Sequence, residues 1–170
     1  MAETRLLENV TFDELAVGRK ASLTRTLTMD DIELFAAVSG DVNPAHLNEA
    51  YAKTDLFHGI VGHGMWSGAL ISAVLGTLLP GPGTIYLGQS MTFRKPVRLG
   101  DTVTATVTVR AKQEDKPIVT LDCACVNQNG ETVVEGLATV MAPTGKISLP
   151  RPDLPDVEIH PHKISGRETD

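Results

Sequence analysis

A chain of 170 residues with 42% hydrophobic and 21% charged residues suits one compact domain with its own core. The net charge of −6 and the scattered Lys and Arg leave no basic patch of the kind that holds nucleic acid, so no nucleic-acid partner is expected. The longest apolar run, Met65–Leu79, falls short of the roughly 20 residues a membrane span needs. The first residues are acidic and lack an apolar stretch, so no secretory signal is expected.

Gly18–Leu27 reads as a strand. Thr28-Met-Asp-Asp31 has the spacing of a capping box, which predicts a helix over Met29–Val38 with Ile32, Phe35 and Ala36 on one side. Asn43-Pro44 then forbids a helix from running on, because proline restricts both its own φ and the residue before it. Asp41 and His46 flank that turn, which can fold a carboxylate and an imidazole toward one point. Such a pair suits proton transfer, since histidine titrates near neutrality. Asn43 is expected to hold the loop through its side chain. Asn48 can cap a short helix through Lys53, and Thr54–Gly62 reads as irregular loop.

Met65–Leu79 is apolar on every face and predicts a helix buried all round, stopped by Pro80-Gly-Pro-Gly83. Gly64 opens it, with a backbone N–H among the unpaired donors of the first turn. Strand patterns follow at Thr84–Phe93, Asp101–Arg110, Ile118–Val126 and Thr132–Met141, the second an alternation of Thr with apolar residues. Hairpin turns fall at Lys116-Pro117 and Asn127–Gly130. Cys123 and Cys125 share a strand face and read as buried apolar residues in a reducing cytoplasm. The spacing of His46, His58 and His63 fits no helical zinc pair, so no metal is expected, and no phosphate-cradling or nucleophile motif implies a cofactor. These elements suggest an α+β domain, an antiparallel sheet wrapped around a long buried central helix, over residues 1–142. Residues 143–170 are proline-rich and read as an extended tail.

The string Phe35, Val38, Ser39, Gly40, Asp41, Asn43, Pro44, His46 and Ala52 resembles the signature of the (R)-specific enoyl-CoA hydratases, or MaoC-like dehydratases; Ala45 is smaller than that family prefers. His63-Gly64-Met65 and the stretch Gly81–Val97 resemble two further elements, in the same order. The resemblance implies the hot-dog fold and (R)-specific hydration of a trans-2-enoyl thioester in fatty acid or polyhydroxyalkanoate-type metabolism. Asp41 and His46 would be the catalytic pair, the Gly64 N–H the oxyanion donor, and Asn43 and His63 their supports. The substrate would be carried on CoA or on an acyl carrier protein, with Arg94, Lys95 and Arg98 available to its phosphates. A homodimer or dimer of dimers is expected, and some relatives carry a phosphate acyltransferase domain beyond such a tail. A thioesterase on the same fold, or a non-catalytic acyl-thioester binding domain, are the alternatives.

Overall fold

The computed structural model describes residues 5–160. The elements in chain order are β1 (Leu6–Glu8), β2 (Lys20–Thr26), α1 (Met29–Ser39), α2 (Pro44–Leu47), α3 (Glu49–Ala52), α4 (Gly64–Thr77), β3 (Ile85–Phe93), β4 (Thr102–Lys112), β5 (Ile118–Asn127), β6 (Thr132–Met141) and β7 (Ser148–Pro150). Five strands form one antiparallel sheet in the order β2-β4-β5-β6-β3. Helix α4 packs against β4, β2, β3 and β5, so the sheet curls around it as the hot-dog arrangement requires.

The period-two pattern of β4 explains its two faces. Val103, Ala105, Val107 and Val109 are buried against α4. The threonines between them point outward, and Thr102, Thr104 and Thr106 meet Thr26, Thr24 and Ser22 of β2 through hydroxyl hydrogen bonds of 2.8 Å each. Cys123 and Cys125 also face inward as free thiols, and burial pushes them up to about 11 and about 12. Gly136 permits a close approach of β3 and β6. A Cβ there would stand 1.9 Å from the Ser90 carbonyl oxygen of β3.

Helix α4 departs from all-round burial. Trp66, Leu70, Ile71, Val74 and Leu75 are in the core, where each contributes roughly 1.5–3 kcal/mol. Met65, at 51% exposure, Ala69, Ser72 and Gly76 look outward. One sheet of five strands covers only one side of a helix. The neighbouring β3 is an edge strand with Ile85, Leu87 and Phe93 exposed.

In the expected tail, β7 pairs with β1 in a separate two-stranded ribbon, Leu7 opposite Leu149. Residues 151–160 run on without regular structure, and residues 161–170 of the tail lie outside the described residues. Among the described residues no helix is long and apolar enough to cross a membrane.

Candidate active site

Helix α1 begins with the capping box. Thr28 Oγ1 accepts from the Asp31 N–H, and Asp31 Oδ2 accepts from the Thr28 N–H, both at 3.1 Å. It ends at Gly40, whose φ of +76° is the left-handed C-cap geometry that favours glycine. The chain therefore leaves α1 sharply and presents Asp41 at the surface. Asp41 Oδ1 accepts the Asn43 N–H at 3.1 Å, and Asn43 Oδ1 accepts the Ala45 N–H at 3.1 Å. Asn43 is thus the N-cap of α2, with Pro44 in the first turn where its missing N–H costs nothing. From the sequence only a turn is expected here, because Asn43-Pro44 ends a helix pattern; the same Pro44 opens a new one as its first residue. This short helix places His46 back toward Asp41.

The two side chains converge. Asp41 Oδ2 lies 4.0 Å from His46 Nε2. That exceeds a hydrogen bond, yet one oxygen placed between them can reach both at about 2.8 Å. His46 Nδ1 lies 2.7 Å from the Val61 carbonyl, and a carbonyl only accepts, so Nδ1 carries the hydrogen. In the neutral ring Nε2 then presents its lone pair toward Asp41.

His63, 3% exposed, sits beneath the pair. Its Nε2 donates to the Asp41 main-chain carbonyl at 3.0 Å. Its ring lies against that of His46, centroids 3.9 Å apart, and 5.1 Å from that of Phe35. Nδ1 of His63 is buried without a partner among the described residues. The motif position Phe35 supports the site from behind, through its ring on His63, and the Val61 carbonyl, a main-chain acceptor, has no sequence signal.

His63 is also the N-cap of α4 and makes no side-chain cap bond to it. Among the described residues, neither the Gly64 nor the Met65 N–H meets an acceptor. These donors, with the helix dipole behind them, suit a developing negative charge. Phe93 lies close to Gly64. A Cβ on residue 64 would stand 3.0 Å from Phe93 Cε1, so glycine keeps this opening clear. His46, His63, Gly64 and Ser67 share a cleft of about 350 Å³ with Phe57 and Phe93. Its wall is largely apolar, which strengthens each polar contact inside it.

The fold also assembles a donor set that spacing did not foretell. One ligand atom each of Asp41, His46 and His63 lie within 4.8 Å of one another, whereas His58 borders a different cavity. A cation that took Nε2 of His63 would have to displace the Asp41 carbonyl bond.

Comparisons with known proteins agree with this geometry. The family model described as MaoC like domain matches residues 13–125. The chain is 53% identical over 132 residues to an (R)-specific enoyl-CoA hydratase of Rhodospirillum rubrum, covering 78% of this chain and 91% of that one. It is 47% identical over 129 residues to the (R)-specific enoyl-CoA hydratase of Aeromonas caviae, covering 76% and 96%. The solved structure of the R-hydratase PhaJ1 from Pseudomonas aeruginosa, unliganded, superposes with a TM-score of 0.88 at 47% identity, covering 92% of this chain and 100% of that one.

Proposed function

The chain belongs to the MaoC-like dehydratase family, and from that premise we propose that it adds water to trans-2-enoyl-CoA to give (R)-3-hydroxyacyl-CoA, and catalyses the reverse dehydration. The setting would be fatty acid or polyhydroxyalkanoate-type metabolism. The observation that carries the reading is the 4.0 Å approach of Asp41 Oδ2 to His46 Nε2 beside the unpaired Gly64 N–H.

Water held between the carboxylate and the imidazole attacks the β carbon. Its proton passes to the Asp41–His46 pair, which acts as one coupled unit and returns a proton to the α carbon, so no net proton leaves. Attack pushes the double-bond electrons toward the thioester oxygen. The Gly64 N–H receives that charge, a role worth about 3 kcal/mol. His63 is a positioning residue that fixes the Asp41 main chain and the His46 ring, and Asn43 holds the turn between them. Both proposed catalytic groups come from one short segment, Asp41 before α2 and His46 within it, so water and proton arrive on one face of the flat enoyl group.

Assembly follows from the exposed edge. Leu87, at 50% exposure, and Phe93, at 52%, stand on the edge strand β3, and an apolar edge strand invites pairing. A second copy joined β3 to β3 would cover it, giving a homodimer or a dimer of dimers. Among the described residues the proposed hydratase domain runs through Ala142, and the segment after it returns as β7 to pair with β1. The buried free thiols Cys123 and Cys125 fit a reducing cytoplasm.

The test is to mix the protein with trans-2-butenoyl-CoA and follow loss of the conjugated thioester. The product should be oxidised by an (R)-specific 3-hydroxyacyl-CoA reductase run in reverse and not by an (S)-specific dehydrogenase. Release of free CoA in step with substrate loss would instead identify a thioesterase.

A further inference from the structure

We propose that the cavity bounded by His58–Ile60 and Arg98–Leu99 holds the nucleotide phosphates of coenzyme A, with the Arg98 guanidinium as their principal ligand. This rests on the acyl-thioester reading of the neighbouring cleft.

The cations around the two cavities are not equivalent. Arg94 and Lys95 line the active cleft, but each is already matched to an acid. Arg94 donates from Nε and Nη2 to Glu135 Oε1 at 2.9 and 2.5 Å. Lys95 pairs with Glu131, and that hydrogen bond is the leading cause holding the Glu131 carboxyl below its ordinary range. Lys53 pairs with Glu49 at 2.8 Å. Arg98 differs. Its Nη1 donates to the Phe57 carbonyl at 2.7 Å, and no carboxylate meets its guanidinium among the described residues. One of five N–H donors is used, and the planar group is already oriented. A preoriented, unpaired guanidinium suits bidentate binding of phosphate.

Its position connects it to the chemistry. The two cavities share a partition, the paired segments 57–62 and 96–99. Gly62 donates to the Val97 carbonyl at 2.8 Å, and Val61 bridges Arg98. Phe57, Val61 and Val97 face the active cleft, while His58, Ile60 and Arg98 face the second cavity. Arg98 is therefore anchored on the residue that walls the cleft. The second cavity, about 650 Å³, is within the usual size for a bound small molecule. Its border carries Arg98, Lys53 and His58 against one acid, Glu49, which Lys53 holds. A pantetheine arm with its thioester at Gly64 would pass Phe57 and bring its phosphates to this border.

The experiment compares three carriers of the same trans-2-butenoyl group: CoA, dephospho-CoA and pantetheine. Arg98→Ala should lower kcat/KM for the CoA ester roughly 10- to 100-fold through KM, as loss of a charge-assisted hydrogen bond predicts. The CoA-to-pantetheine ratio of kcat/KM should fall by the same factor, and Arg98→Lys should recover part of it. With dephospho-CoA, a persisting effect assigns Arg98 to the diphosphate and a vanished one assigns it to the 3′-phosphate; both support the subsite. Equal losses on CoA and pantetheine esters would make Arg98 a structural support of Phe57. No loss on CoA, or a loss with Arg94→Ala instead, would overturn the assignment. So would a 2-enoyl acyl carrier protein that outruns the CoA ester and depends on Arg98, since it brings one phosphodiester and no nucleotide. Should no thioester be hydrated, the catalytic reading fails, and equilibrium binding of CoA itself to wild type and Arg98→Ala still decides the subsite.

Discussion

His63 touches both members of the proposed catalytic pair, Asp41 and His46: its Nε2 donates to the Asp41 carbonyl at 3.0 Å, and its ring lies 3.9 Å from that of His46. The buried residue thus couples the turn that carries the carboxylate to the imidazole ring. The helix that His63 precedes also supplies the Gly64 N–H, so one junction positions all three groups.

Replacing His63 should therefore damage activity beyond its effect on stability. His63→Ala leaves a hole and an unpaired Asp41 carbonyl, with an expected cost of about 2–4 kcal/mol. His63→Gln keeps a side-chain donor and should recover part of kcat. Equal kcat for the two variants at matched folded fraction, read by denaturant titration and steady-state kinetics, would deny the positioning role.

Asp41→Ala and His46→Ala should each lower hydration roughly 10²–10⁴-fold. Asp41 is exposed, so Asp41→Ala should melt near the wild type; His46→Ala gives up the Val61 hydrogen bond and the His63 contact, so its turnover is compared at matched folded fraction. Near-full turnover by either would remove it from the catalytic pair.

Hydration should persist after chelation and dialysis, because the roles proposed for Asp41, His46 and the Gly64 N–H supply a base, an acid and an oxyanion donor without a metal. Added Zn²⁺ should if anything inhibit, by competing for Asp41, His46 and His63. Loss of activity on chelation and its return with Zn²⁺ would show that the donor set works as a metal site.

Gly136→Ala should be severely destabilising. Its Cβ would stand 1.9 Å from the Ser90 carbonyl oxygen and 3.0 Å from Met91 Cα, both backbone atoms of β3, so the strands must part. A shift in the denaturation midpoint is the readout. A midpoint equal to that of the wild type would mean that β3 can move away from β6 at no cost.

Alkaline pH should weaken the fold through the cysteines. Burial raises both thiols above their ordinary value of 9.0, to about 11 for Cys123 and about 12 for Cys125. A raised folded pKa contributes stability that is complete below the unfolded value and lost as pH climbs through the folded one. Melting temperature should thus decline from about pH 9 toward pH 11, and less steeply in Cys123→Ala/Cys125→Ala. At neutral pH neither thiol should react with iodoacetamide until the chain is unfolded, as mass spectrometry would show.

Much of the molecule was legible before any coordinates. The capping box at Thr28, the breaker at Asn43-Pro44 and the Thr–Val alternation of β4 are local, because dihedral limits and side-chain period act over a few residues. The same locality put Asp41 and His46 on one turn. What lay beyond reach depended on contacts between distant segments. The Val61 carbonyl that sets the His46 tautomer, the fold of His63 onto Asp41, and the pairing of Arg94 and Lys95 but not Arg98 with acids arise only when separate loops close on one another. The exposed face of α4 belongs to the same class, since hydropathy marks it as a surface to be covered while only the number and curl of the strands decide which side one chain can cover. Likewise β7 carries little strand pattern of its own and gains its form from β1, a partner at the far end of the chain.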